Sequence, residues 1–533
     1  MRHVRIYDTT LRDGAQAEGI SFTVADKIHI ARKLDDLGVE AIEGGWPGSN
    51  PKDVDFFREA ANLRLKHAKL TAFGSTRRAF SRPQEDAILK GLVDSDTPIL
   101  CIFGKSWDLH VEQVLRTTLE ENVRMIRDSV AYLKSTGREV IYDAEHFFNG
   151  YQANPAYALE CIQAAAAGGA DLICLCDTNG GMLPWDVEAA VKLVSERLDV
   201  PLGIHTHDDS NLGTACAIAA VRAGAVQVQG TMNGWGERVG NANLCSIIPV
   251  LQLKMGCRCL TDEQLATLTE VAHYIGEIAN TLPNERQAFI GRSAFAHKAG
   301  THVDAVMKVT QSCEHISPEA VGNQRRFLIS ELSGGSSIIS KAREAGFDLT
   351  KNSQETREIL SQLVHLENDG YVFEGAEASF ELLMRKATGS YEKLFDLLRY
   401  AVEVEKQGPG SETITRAVIK VNVHGEEHLT VAEGNGPVNA LDGALRKALR
   451  EFYPELDGIR LTDFKVRVVD AKVGTAAKVR VLVESQMGEE SWSTIGVSPN
   501  VVEASWDALV DAIEYGISVK VRGAARPAAE VSE

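Results

Sequence analysis

The chain has 533 residues, 44% of them hydrophobic and 24% charged, which is ample apolar material but too much length for one core. With 56 Lys and Arg against 74 Asp and Glu, the net charge of −18 argues against a general affinity for nucleic acid or anionic membrane. No apolar run reaches the roughly 18 residues of a membrane span, and nine scattered cysteines fit a reducing cytoplasm.

A strand pattern begins at once, at His3–Tyr7, and leaves no room for a signal peptide. Seven more strand-like runs follow, at Val39–Glu43, Lys69–Phe73, Ile99–Phe103, Glu139–Ala144, Asp171–Cys176, Pro201–Ile204 and Ala225–Gly230. Amphipathic stretches separate them, including Ala25–Leu37, Val111–Leu133 and Asp209–Ala223. Eight βα units predict an α/β fold of the TIM (β/α)8 barrel type over residues 1–260, with its chemistry at the C-terminal strand ends. Residues 261–406 read as mainly helical linker subdomains. They contain a glycine-serine turn at Leu332–Ser337 and the basic Asn323-Gln324-Arg325-Arg326, which suits either CoA phosphates or solvent. Gln407–Ser411 reads as a linker. Over 412–522, strand patterns at Thr415–Val423, Asp463–Val469 and Lys478–Ser485 alternate with helical stretches at Ala440–Phe452 and Val502–Tyr515. That weak internal repeat predicts a C-terminal α+β module, and 523–533 reads as a disordered tail.

The polar residues gather where a barrel places chemistry. Asp8, Arg12 and Asp13 follow the first strand, and Glu43 ends the second. Lys105 follows the fourth, Glu145 the fifth, and Asp177 with Thr178 the sixth. His205 and His207, two apart, share one face at the end of the seventh. Two imidazoles with a carboxylate and open positions suit a catalytic divalent ion. Asp13 supplies the carboxylate, since strands one and eight adjoin in a closed barrel, and Asn241 of the glycine-rich loop after strand eight offers an amide oxygen. Cys174-Leu175-Cys176 and Cys257-Arg258-Cys259 lack the two-residue spacer of a zinc clip and read as core thiols.

Asp8-Thr9-Thr10-Leu11-Arg12-Asp13-Gly14-Ala15-Gln16, His205-Thr206-His207-Asp208-Asp209 and Gly236-Glu237-Arg238-Val239-Gly240-Asn241 resemble the three signatures of the metal-dependent DRE-TIM enzymes, the isopropylmalate, homocitrate and citramalate synthases. The C-terminal part resembles their dimerising, amino-acid-sensing domain, so the resemblance spans nearly the whole chain. It implies a divalent ion (Mn, Mg or Zn) held by Asp13, His205, His207 and Asn241. It also implies 2-oxo acid contacts from Arg12, Gln16 and Thr178. The general base is Glu145 or His302, the latter in a segment that similar enzymes lend from the partner subunit. Cys313 stands where related sequences usually carry a tyrosine.

The implied reaction is a Claisen condensation of acetyl-CoA with a small 2-oxo acid, followed by thioester hydrolysis. Pyruvate is favoured, as in isoleucine biosynthesis, because Asp143–Gly150 and Glu43–Ser49 look more like the citramalate-forming branch. Isopropylmalate or homocitrate formation is the alternative, and a metal-dependent aldolase or lyase on the same barrel is a different class. A His-x-His barrel hydrolase would usually place its pair on the first strand, not the seventh. The resemblance further implies a cytoplasmic homodimer with isoleucine as a possible effector and no nucleic-acid or membrane partner.

Overall fold

Strand alternation and helix capping build the expected barrel. The computed structural model describes residues 2–281, 284–328, 354–373, 376–469, 474, 476–488 and 490–521. The glycine-serine turn at 332–337 and the tail at 523–533 lie outside them. Two compact units divide the chain: 1–295 with 315–325, and 296–314 with 326–533.

In the first unit, β1 (Arg5–Asp8), β2 (Ala41–Gly45), β3 (Lys69–Ser75), β4 (Ile99–Lys105), β5 (Glu139–Glu145), β6 (Leu172–Asp177), β7 (Leu202–Thr206) and β8 (Gln227–Gly230) form a closed parallel barrel in sequence order. Closure comes from β1 against β8, where Arg5 pairs with Gln227 and Asp8 with Gly230. Several strands start or finish one or two residues later than the hydropathy suggests. Their polar last residues still make ladder hydrogen bonds, which hydropathy does not register. Period-two alternation sorts the side chains. Leu172, Cys174 and Cys176 of β6 fill the barrel interior with Tyr7, Phe73 and Cys101. Ile173 and Leu175 face the helices with Leu100, Ile102 and Val140.

The helices carry clear end signals. Val24–Leu37 starts at a reciprocal capping box between Thr23 and Asp26 and stops at Gly38, whose φ of 93° is left-handed. The single amphipathic stretch read at 111–133 is two pieces. A π-helical turn at His110–Leu115 ends at Arg116 with φ 55°, and the helix Leu119–Lys134 then starts on the Thr118 cap.

In the second unit, the short strands β9 (Ala296–His297) and β10 (Arg326–Phe327) pair in parallel. The expected helical character holds for Gly300–Lys308, Gln354–Asn368 and Glu377–Ala387, but it fails at its end. There β11 (Asp396–Lys406) is a strand paired antiparallel with β12 (Thr413–Val423), and the presumed linker at 407–411 is their hairpin turn. β11 is largely exposed, so it lacks the buried alternation that reveals a strand. Two further strands also went unread: β13 (Glu426–Gly434) completes the first three-stranded sheet, and β16 (Glu490–Ser498) joins β14 (Arg460–Val468) and β15 (Val479–Met487) in the second. Pro437–Leu449 covers the first sheet and Val501–Tyr515 the second, whose Leu482, Ile495 and Val497 also pack with Phe380 and Met384 of the helix Glu377–Ala387. The repeat is therefore three strands and a helix, twice.

Candidate active site and metal centre

The barrel mouth holds a cavity of about 200 Å³, bordered by Arg12, Asp13, Gln16, Glu145, Thr178, His205 and His207 among the expected residues. Asp13, in the turn after β1, and the two histidines converge there. His205 Nε2 lies 3.4 Å from His207 Nε2 and 3.4 Å from Asp13 Oδ2. Ligand atoms about 2.1 Å from one ion, at a tetrahedral angle, sit about 3.4 Å apart, so the three groups are spaced to hold a divalent ion.

The surrounding hydrogen bonds favour that use. Gln229 Nε2 donates to Asp143 Oδ1 at 2.9 Å, which turns Gln229 Oε1 toward His205 Nδ1, also at 2.9 Å. His205 therefore carries its proton on Nδ1 and offers the lone pair of Nε2. Asn241 is buried, and its Oδ1 has no hydrogen-bond partner. Such an orphan acceptor is costly unless something not a protein donor meets it. Local backbone presses Asn241 into place. A Cβ on Gly236 would fall 2.1 Å from Asn241 Nδ2, and Gly240 sits at φ 124° with Gly234 O just beneath. Those contacts account for the glycines of this loop.

Charge is distributed to match. Burial raises Asp13, but Arg12 and the two imidazoles outweigh it and hold the carboxyl well below its usual range. Burial and the neighbouring His205 bring His207 down to about 4, leaving it neutral, as a ligand must be. Burial pulls His205 down as well, yet its hydrogen bond and charge contact with Asp13 raise it overall, so without an ion Nε2 favours a proton that a bound ion would displace.

Arg12 is the cation at the anionic end. Its Nε donates to Glu43 Oε1 at 2.5 Å, its Nη1 lies 3.3 Å from Asp13 Oδ2, and its guanidinium stacks 3.9 Å over the Phe73 ring. Glu43 is fully buried and also accepts from Tyr7 Oη, so it fixes the guanidinium plane. Gln16 meets Arg12 Nη1 at 3.5 Å. Thr178 Oγ1 accepts from the His146 backbone N–H at 2.9 Å, which leaves its own proton for the cavity. Arg238 clamps the same loop, donating to Thr178 O and to both carboxylate oxygens of Asp209. Glu145 forms an ion pair with Lys105 at the cavity wall.

Other expected rim residues do different work. Asp8 caps its own turn through Thr10, and Asp177 accepts from the Gly181 and Met182 backbone N–H groups. His302 lies in the second unit, exposed on the helix Gly300–Lys308. The apolar wall was not singled out from the sequence. Trp46 meets Phe73 and Phe103 edge-on, and the latter two stack 5.5 Å apart. Phe73 and Phe103 end strand runs and so look like core; only their place at the C-terminal ends could have marked them. Asp143 could have been found by its two-residue spacing from Glu145, whereas nothing local marks Gln229.

A parallel barrel with this polar cluster at its C-terminal rim defines the class: the chain belongs to the HMGL-like family, whose model matches residues 3–275. Residues 289–370 match the homocitrate synthase post-HMGL domain-like family and 374–517 the LeuA allosteric (dimerisation) domain. It is 52% identical to an (R)-citramalate synthase of Geobacter sulfurreducens over 97% of this chain and 98% of that one, and 52% identical to another of Aquifex aeolicus over 96% and 97%. A probable 2-isopropylmalate synthase of Methanopyrus kandleri is 30% identical over 95% and 97%. Within the HMGL-like class the chain thus belongs with the (R)-citramalate synthases, as an acyltransferase-type enzyme.

Proposed function

We propose that the chain condenses acetyl-CoA with pyruvate and hydrolyses the thioester, releasing (R)-citramalate and CoA. The observation that carries this reading is a single cavity lined both by Arg12 and the Asp13–His205–His207 cluster and by the aromatic side chains of Trp46, Phe73 and Phe103. A small 2-oxo acid fits that mixed lining, its carboxylate and keto oxygen against the polar groups and its methyl group against the rings.

Asp13, His205, His207 and Asn241 would hold a divalent ion (Mn, Mg or Zn), which supplies Lewis-acid polarisation of the 2-oxo acid. Thr178 donates its free hydroxyl proton to the substrate carboxylate, and Gln16 keeps Arg12 in place. Arg12 stabilises negative charge as it develops on oxygen, with its plane already fixed by Glu43. Glu145 takes a proton from the acetyl methyl group, since it borders the cavity; His302 is the second candidate. We further propose a cytoplasmic homodimer in the isoleucine pathway, with isoleucine acting on the LeuA-like module. The nine free cysteines and the match to a dimerisation domain support this extension.

The test is free-thiol release from acetyl-CoA with pyruvate, 2-oxoisovalerate and 2-oxoglutarate in turn, with and without isoleucine. Release with pyruvate is expected. Release with 2-oxoisovalerate alone contradicts the substrate, and insensitivity to isoleucine contradicts the effector.

A further inference from the structure

Inside the barrel, with two of its three members bordering the catalytic cavity, lies a second group of metal-capable side chains, of which the proposed reaction engages only Asp143, through Gln229. Asp143 of β5 and Cys174 and Cys176 of β6 are all buried, and one carboxylate oxygen and the two sulfurs lie within 4.8 Å of one another. Strand pairing makes the cluster. Asp143 sits opposite Cys174 in the β5–β6 ladder, and alternation turns both cysteines inward. Cys101 of β4 faces the same interior, with Asp143 as a near neighbour. The sequence shows only the Cys-x-Cys pair; the carboxylate and the third sulfur come from neighbouring strands.

The spacing and the access both suit an ion. Sulfurs bound to one tetrahedral zinc ion lie about 3.8 Å apart, so the cluster closes on an ion with shifts of no more than about 1 Å. Asp143 and Cys176 border the cavity that receives the substrate, so an ion entering the mouth meets them directly.

We propose that Asp143, Cys174 and Cys176, with Cys101 beside them, form a second site for a soft divalent cation of the zinc and cadmium type, and that filling it inhibits the enzyme. Thiolates select such ions over magnesium or manganese. On binding, two S–H bonds break, two sulfur–metal bonds form and two protons leave to solvent; no electrons are transferred. Inhibition follows from the shared carboxylate. Asp143 holds the amide of Gln229, whose other end fixes His205. An ion drawing on Asp143 competes for that contact and frees the His205 ring to turn. The inhibitory half rests on the catalytic role proposed for His205; the binding half does not.

The test uses the full chain carrying Cys313→Ser, which removes the exposed thiol, saturated with magnesium and titrated with Cd²⁺. Thiolate-to-cadmium charge-transfer absorption reports binding, and CoA release reports activity. The expected result is an absorption band that saturates at one Cd²⁺ per chain while activity falls in step. Second-shell changes already cost roughly 10–100-fold in metal affinity, so Cys174→Ala, which removes a ligand, is expected to need at least about tenfold more Cd²⁺ for the same band. Cys174→Ser supplies the same comparison should the alanine variant not fold. No band, or a band of unchanged affinity in both Cys174 variants, overturns the site. A full band with undiminished CoA release overturns the inhibitory link. A chain inactive on pyruvate still reports binding by absorption, so the two readings fail separately.

Discussion

Replacing Gln229 with leucine removes the amide that joins Asp143 to His205 while keeping most of the side-chain volume. Two buried hydrogen bonds of 2.9 Å are lost, and Asp143 keeps no amide donor. Leaving a buried acceptor short of a partner costs about 1–3 kcal/mol of stability. The larger consequence is for the metal. With its outer partner gone, the His205 ring is no longer held with Nε2 toward Asp13, and second-shell losses of this kind weaken metal binding roughly 10–100-fold. That corresponds to about 1.4–2.7 kcal/mol. Calorimetric titration of metal-free protein with Mn²⁺ measures the affinity directly, and activity against metal concentration gives an independent value. The expected variant binds Mn²⁺ at least about tenfold more weakly and recovers most of its activity when metal is raised to saturation. Unchanged Mn²⁺ affinity in a folded Gln229→Leu protein would refute the argument that this chain of hydrogen bonds sets the ligand geometry.

Other consequences are equally open to measurement. Asn241→Ala removes the orphan oxygen, so metal affinity should fall while the metal-free protein melts no earlier than wild type; a lower melting temperature with unaltered affinity would make Asn241 purely structural. Arg12→Lys loses the planar fork that contacts Glu43 and Asp13 and should lower kcat about 100- to 1,000-fold, with KM for pyruvate far less affected; a loss confined to KM would contradict its role in charge stabilisation. Phe103→Ala opens the aromatic wall and should shift the kcat/KM ratio toward 2-oxoisovalerate by roughly tenfold or more, since a methylene is worth about 1–3 kcal/mol; an unmoved ratio would place the substrate methyl elsewhere. In the second unit, burial and the nearby Glu503 and Asp511 raise Asp507 to about 6. Native protein therefore binds more protons than unfolded protein between about pH 4 and 6, and its stability falls as pH rises through that window. Asp507→Asn should flatten that fall in thermal melts, and an identical slope would remove Asp507 as its source.

Much of the barrel was legible because a buried parallel strand has an unmistakable hydropathy pattern, and all eight strands were placed within about two residues. The C-terminal module was harder. β12, β14 and β15 stood out by their period-two alternation, whereas the largely exposed β11 and β13 and the half-buried β16 did not. The metal-capable trio was readable because Asp13, His205 and His207 occupy strand ends in ordered motifs. Gln229 was not, since its role comes from reaching His205 across the β7–β8 ladder. The aromatic wall hid for a related reason: Phe73 and Phe103 are as apolar as any core residue, and only barrel closure turns them toward the mouth.

The most direct test of the account is the identity and handedness of the product. Purified protein given acetyl-CoA, pyruvate and Mn²⁺ should form (R)-citramalate in equimolar amount with free CoA, resolved by chiral chromatography with mass detection. CoA release without citramalate, or a product formed only from 2-oxoisovalerate, would contradict it.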